Sequence, residues 1–177
     1  MNKTSRQVLP VKERDHIQGS LKAPYVLVEY GDYQCPYCGE AHGIVKEIRD
    51  RLGDQLCFVF RNFPLVEIHE HAEHAAEAAE AADAQGRFWE MHNLLFENQD
   101  ALEDGNLVDY AEELGLDARR LITEVRNGAH AARIQKDFRS GEQMGVNGTP
   151  TFFVNGELFE ADPSAEEIIA ALTERTV

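Results

Sequence analysis

Nowhere does this sequence string together the roughly 18 apolar residues that a membrane-crossing helix needs, so it predicts no membrane span. Positive charge is scarce: 17 Lys and Arg stand against 32 Asp and Glu, a formal net charge of -15. That surplus repels phosphate backbones and anionic bilayers, which argues against nucleic acid or a membrane surface as partner. Cysteine is scarce too. Three cysteines do not make a disulfide-stapled secreted domain and fit one functional pair in a reducing compartment. Residues 1–24 carry Lys3, Arg6, Lys12 and Arg14 but lack the apolar core of about seven or more residues that marks a signal peptide. The expectation is a cytoplasmic protein, or an extracytoplasmic one if a leader was removed ahead of Met1.

What is present is a chain of 177 residues, 43% of them hydrophobic, enough for one domain or one domain with an insertion. Its organising stretch is residues 25–39. Tyr25, Val26, Leu27, Val28, Glu29 and Tyr30 form a run suited to a strand buried on both faces. Gly31, Asp32, Tyr33 and Gln34 follow, then Cys35, Pro36, Tyr37 and Cys38. Pro36 suits the first position of a helix and leaves Cys35 as its cap. Beyond it Tyr37, Ala41, Ile44, Val45, Ile48 and Leu52 recur at helical spacing.

A thiol at a helix N-terminus meets unpaired amides and the positive end of the helix dipole, both of which favour the thiolate that attacks disulfides. Cys35 is therefore the expected nucleophile. Cys38, one turn on and on the same side, is the expected resolving thiol, placed to close an internal disulfide and release a mixed-disulfide partner. The competing reading of a CxxC pair is a zinc half-site, which wants two further ligands. The third cysteine, Cys57, lies within Leu56, Cys57, Phe58, Val59 and Phe60, a second strand in which a buried thiol is inert.

From residue 68 to 144 the strand pattern stops. Ala72, Ala75, Ala76 and Ala79 mark one helical face, and Phe88, Met91 and Leu95, with Trp89 beside them, mark a second helix after a break at Gly86. Leu107, Ala111 and Leu114 give a third, ended by Gly115. Ala118, Leu121, Ile122 and Val125 give a fourth, capped by Asp117 and stopped by Asn127 and Gly128; Ala131, Ile134 and Phe138 give a fifth. Strand logic returns at Gly148, Thr149 and Pro150. A short apolar run, Thr151, Phe152, Phe153 and Val154, leads into Asn155-Gly156, a type I′ hairpin signal, with residues 157–160 returning as an edge strand. Pro163, Ser164 and Glu167 open a last helix with a capping box. The division predicted is 1–67 as the first part of an α/β domain with an extension over 1–16, 68–144 as an all-α insertion, and 145–177 as the second part.

The Cys35-Pro36-Tyr37-Cys38 motif after a buried strand, the late Thr149-Pro150 before a hairpin, and the helical insertion between them resemble the DsbA-like branch of the thioredoxin superfamily. The resemblance covers the chain after about residue 16. It implies an α/β thioredoxin-like fold, with a mixed central sheet flanked by helices and an all-α insertion subdomain over the active site. It also implies disulfide oxidoreductase activity, with Cys35 as nucleophile, Cys38 as resolving cysteine and Pro150 as a cis-proline preceded by Thr149. An X-Pro bond is the one that tolerates cis readily, and in cis it would turn the Thr149 backbone toward an incoming peptide. Pro36 and Tyr37 complete the substrate-facing set.

Glu29 is a costly residue for an apolar strand, and the resemblance places an acidic residue there, beneath the cysteines. It is expected to have a raised pKa and to relay the proton to or from Cys38. Asp32 and Tyr33 read as a polar loop and a packing aromatic. His69, His71 and His74 read as solvated or locally capping, with His42 a further candidate metal ligand. Tyr37 cannot give the Cys35 thiolate the cationic contact a histidine could, so the direction of electron flow stays open. Protein thiols or disulfides are the expected substrates, with glutathione a candidate co-substrate, a recycling partner required and the oligomeric state open. The alternatives are a metal-binding module built on Cys35, Cys38 and histidines, and a glutathione-dependent transferase or isomerase of the kappa type.

Overall fold

Residues 10–174 are described by the computed structural model; Lys3 and Arg6 of the N-terminal extension lie outside them. The buried run forms β2 (Tyr25–Gly31), flanked by β3 (Leu56–Asn62) and β4 (Thr151–Val154). β2 pairs parallel with β3, Leu27 opposite Phe58 and Glu29 opposite Phe60, and antiparallel with β4, Glu29 opposite Phe152. β5 (Glu157–Leu158) returns on β4, shorter than the four residues expected. Its turn residues Asn155 and Gly156 both have positive φ, 48° and 90°, as a type I′ turn demands. The outer strand β1 (His16–Gln18) pairs antiparallel with β3 and completes the order β1-β3-β2-β4-β5. The sequence reading missed β1, because one apolar residue in three makes no alternation to detect.

Side-chain alternation gives the sheet two faces. Leu27, Phe58, Phe60, Phe152 and Val154 bury one face in the larger core, shared with α1 (Pro36–Leu52), α7 (Ala165–Thr173) and the interhelical packing. Val28, Tyr30, Cys57, Val59 and Phe153 bury the other, covered by Phe138, Met144 and Val146. Cys57 lies wholly inside this second core, where burial raises its pKa and keeps it a thiol. Five helices run between β3 and β4: α2 (Ala72–Asp83), α3 (Phe88–Glu97), α4 (Asp104–Glu113), α5 (Ala118–Arg126) and α6 (Ala131–Gln143). α5 starts where Asp117 accepts a hydrogen bond from the Arg120 amide at 2.9 Å, and α7 where Ser164 accepts one from Glu167 at 3.2 Å, the capping chemistry legible in the sequence. Trp89 is only partly buried; it packs against Phe58 of β3 as well as Phe88, so it joins the helices to the sheet.

Candidate active site

α1 begins at Pro36, with Cys35 at its N-cap in extended conformation (φ -69°, ψ 121°). A proline there removes one of the amides that would have no helical partner. Cys35, Cys38 and Cys57 are all free thiols. Cys35 and Cys38 are buried, but Tyr37 between them is 69% exposed, so the mouth of the site is apolar and open. The Thr149–Pro150 peptide bond is cis, and the Cys35 thiol donates to the Thr149 carbonyl at 3.4 Å. Chain segments 114 residues apart meet at that sulfur.

The two sulfurs are treated oppositely. The Cys38 thiol donates to the Cys35 sulfur and holds the Cys35 pKa down at about 5, against burial, with help from a Thr149 hydrogen bond and the Cys38 and Tyr37 amides. The Thr149 hydroxyl oxygen, buried and otherwise without a partner, is the side-chain group at hand for the thiolate. Burial first, then donation to Cys35 and the Glu29 carboxylate, push the Cys38 pKa well above the ordinary thiol value, only partly opposed by the Asp32 amide that donates to it at 3.5 Å. Glu29 lies on the α1 side of β2, 2% exposed, with Oε1 unpartnered. Burial and the Cys35 charge raise its pKa to about 8. It does not point to solvent. Gly31 leaves room for it: a Cβ there would lie 3.1 Å from Glu29 Oε1 and against the Phe60 ring.

Asp32 corrects the polar-loop expectation. Its carboxylate is fully buried and accepts three hydrogen bonds, from the Gln34 amide at 2.7 Å, the Leu65 amide at 2.8 Å and His69 Nδ1 at 2.8 Å. Gln34 Oε1 in turn accepts from the His71 amide at 2.7 Å. The loop after β3 is thereby laced to the loop that carries the cysteines. A local sign of this was readable, since the Asp32-to-Gln34 bond is an Asx turn; its partners at 65 and 69 were not. His69 is thus a buried-network donor rather than solvated or capping, while His74 pairs with Asp104 at 2.7 Å and His71 with Glu70 at 3.4 Å. Tyr33 is a packing aromatic against Phe60 and Phe96, and its hydroxyl also shares a hydrogen bond with His92 Nδ1 at 2.9 Å, burial keeping the imidazole neutral.

Among the described residues no histidine, Asp or Glu joins the two sulfurs as a third ligand; the cluster with metal-like spacing is His16, Glu80 and Asp83, on β1 and α2. There His16 Nε2 already meets Glu80 at 2.8 Å, and the ring stacks on Phe88. His42 rests against Phe96 and His92.

A family model described as thioredoxin matches residues 11–174. The chain belongs to the thioredoxin family. Among solved structures it is similar to BdbD from Bacillus subtilis, with a TM-score of 0.82, 26% identity, and 96% of this chain and 99% of that one covered. It is also similar to a thioredoxin-like oxidoreductase from Silicibacter pomeroyi DSS-3, with a TM-score of 0.80, 27% identity and 90% and 91% coverage. The thiol-disulfide exchange protein alpha-DsbA2 from Wolbachia pipientis shares the fold at 17% identity, with a TM-score of 0.79 and 90% and 86% coverage. This thioredoxin-family chain thus has the fold of the DsbA-type thiol-disulfide oxidoreductases, carrying a close cysteine pair. In sequence it is 46% identical over 164 residues to a Na(+)/H(+) antiporter NhaA 1 of Mycobacterium sp. (strain KMS), covering 90% of this chain and 26% of the antiporter. The corresponding protein of Salinispora arenicola (strain CNS-205) is 44% identical over 161 residues, with 91% and 24% covered. The chain spans about a quarter of the length of the curated relatives it matches, and no helix among the described residues is long and apolar enough to cross a membrane.

Proposed function

We propose that the chain is a dithiol-disulfide oxidoreductase that oxidises polypeptide thiols, with Cys35 as the exchanging sulfur and Cys38 as its internal partner. The observation that carries this is the opposed placement of the two sulfurs, Cys35 at the N-cap of α1 beside Thr149 and the cis Pro150 and Cys38 fully buried one turn on, which draws the Cys35 pKa down to about 5 and pushes that of Cys38 up. A stabilised thiolate stabilises the reduced protein, and that makes its disulfide a better oxidant. A substrate thiolate attacks Cys35 Sγ of the Cys35-Cys38 disulfide; the S–S bond breaks and Cys38 leaves as a thiolate, which takes up a proton. A second substrate thiolate then attacks the substrate sulfur of the mixed disulfide and expels the Cys35 thiolate. Two electrons pass from substrate to enzyme, and a separate recycling partner must remove them.

Glu29 supplies the proton to Cys38. With a pKa of about 8 it carries one at neutral pH, and its carboxylate charge is among the causes that push the Cys38 pKa up. Glu29→Gln is expected to slow formation and resolution of mixed disulfides about tenfold to a hundredfold in stopped-flow exchange. The same substitution has a thermodynamic signature. A carboxyl whose folded pKa is raised from 4.5 to about 8 binds more protons folded than unfolded across that interval, so it costs stability as pH rises through it. The Tm of Glu29→Gln relative to the parent should therefore climb between pH 5 and 9; a flat difference would show that Glu29 is not a buried acid.

Polypeptide substrates fit the surface around Cys35. Among the described residues four large hydrophobic side chains are exposed, and Tyr37 at 69%, Val66 at 53% and Ile68 at 71% are three of them. Val66 and Ile68 lie on the loop that Asp32 and Gln34 lace to the cysteine turn, which puts an apolar rim beside the sulfur. An oxidant of this kind belongs in an oxidising compartment, contrary to the cytoplasmic expectation. Equilibration in a series of glutathione buffers, read by thiol labelling in a Cys57→Ala background, should give a potential above about -200 mV; one near about -270 mV would make the protein a reductase. Iodoacetamide labelling of Cys35 against pH should show a midpoint near 5.

A further inference from the structure

Gln99 lies in the turn between α3 and α4, far in sequence from the cysteines and with no motif around it. Its Nε2 donates to the Tyr33 carbonyl at 2.9 Å and to the Cys35 carbonyl at 2.8 Å. Those two carbonyls belong to the peptide groups on either side of the Gln34–Cys35 pair. A single planar amide that grips both fixes the torsions between them, and with them the direction in which the Cys35 side chain leaves the backbone. The Cys35 carbonyl also accepts from the Cys38 and Gly39 amides at 3.1 Å each, so the same oxygen ties the first turn of α1 to the cap.

Gly39, the fourth residue of α1, has the complementary property. A Cβ built there would overlap Gln99 Oε1 and lie 2.8 Å from Gln99 Cδ. Its φ is not in the left-handed region, so the backbone does not require glycine. Inside a helix, alanine is favoured over glycine. The absence of a side chain at 39 is explained by the carboxamide that fills its place.

We propose that Gln99 is a positioning residue for the Cys35 thiol: its carboxamide, admitted by Gly39, clamps the Tyr33 and Cys35 carbonyls on either side of the Gln34–Cys35 pair and keeps the first amides of α1 aimed at the sulfur. This links the helical insertion to the reactivity of the cysteine pair, and it rests on Cys35 being the attacking thiol. The clamp acts through geometry, since Gln99 carries no charge and makes no hydrogen bond with either sulfur. Loss of the clamp lets the Cys35 backbone relax, and the Tyr37 and Cys38 amides then stabilise the thiolate less well.

The test is a double-mutant cycle on the full chain: parent, Gln99→Ala, Gly39→Ala and both together, each read by the pH profile of Cys35 alkylation, by the glutathione equilibrium constant and by thermal melting. Each single variant should move the alkylation midpoint up by about one pH unit and the equilibrium constant about tenfold toward the disulfide, a pairing that burial or general loosening would not produce. The double variant should resemble either single one, because both remove the same contact. Gly39→Ala is informative even if Gln99→Ala melts early, since alanine at that helical position should otherwise raise the Tm. Unchanged midpoints in both single variants with a parental midpoint near 5 would overturn the clamp and leave the nucleophile assignment standing. Additive shifts in the double variant would also overturn it. An ordinary thiol profile in the parent would overturn the nucleophile assignment and the clamp with it.

Discussion

Cys35→Ser is expected to lower disulfide-exchange turnover by about a thousandfold or more, because a serine hydroxyl neither ionises near neutral pH nor forms a redox-active bond to sulfur. The fold should survive: serine is close to cysteine in size, and the Thr149 carbonyl at 3.4 Å remains available as an acceptor for the hydroxyl. Its companion, Cys38→Ser, should behave differently. It cannot form the internal disulfide and so cannot oxidise a dithiol, but its Cys35 thiolate can still attack a substrate disulfide and expel one substrate thiolate; with no second sulfur to release the partner, a mixed disulfide on Cys35 should accumulate on non-reducing gels. The asymmetry follows from Cys35 having its pKa pulled down to about 5 while that of Cys38 is pushed up. If the mixed disulfide accumulated on Cys38 in Cys35→Ser and not on Cys35 in Cys38→Ser, the roles would have to be exchanged.

Asp32→Ala is expected to be the most destabilising single change near the site. The carboxylate is entirely buried, and its removal strands the Gln34 amide, the Leu65 amide and His69 Nδ1. A buried donor left without an acceptor costs about 1–3 kcal/mol, so the sum over three is about 3–9 kcal/mol out of the roughly 5–15 kcal/mol that holds a domain folded. At about 2–4 °C per kcal/mol for a chain of this size, the Tm should fall by about 10 °C or more. His69→Ala, which removes one donor and leaves the carboxylate its two amides, should cost about 1–2 kcal/mol. Denaturant melts of the two variants at pH 7 provide the check, and equal losses would show that the three bonds do not act together. The consequence for chemistry comes through the backbone, because the Asp32 amide donates to Cys38 at 3.5 Å. A loosened Asp32 withdraws that donor from the Cys38 sulfur.

Much of the fold was legible because it is written locally. The β2-to-α1 transition shows as an apolar run, a proline and a helical period, and the structure puts Pro36 at the first helical position and Cys35 at the cap. Asn155-Gly156 and Ser164-x-x-Glu167 announce the hairpin and the last helix through turn and capping chemistry that depends on neighbours two to three residues away. The elements that were misjudged are those whose partners are distant. β1 exists because β3 offers it an edge, not because residues 16–18 have any pattern. Asp32 looked like a loop aspartate because its acceptors' worth depends on residues 65 and 69, and Gln99 looked like nothing at all.

By itself, then, the sequence determined the pair of cysteines, the strand and helix on either side of them, and the placement of one thiol at a helix start, since each of these is set by residues near one another in the chain. Only the tertiary structure decided which thiol state each sulfur keeps and what holds the turn in shape. Those depend on burial of Glu29 and Cys38, on Thr149 arriving beside Cys35 across the sheet, and on Asp32 and Gln99 finding partners from other elements. Burial and long-range hydrogen bonding are properties of the closed fold, and no local pattern of residues encodes them.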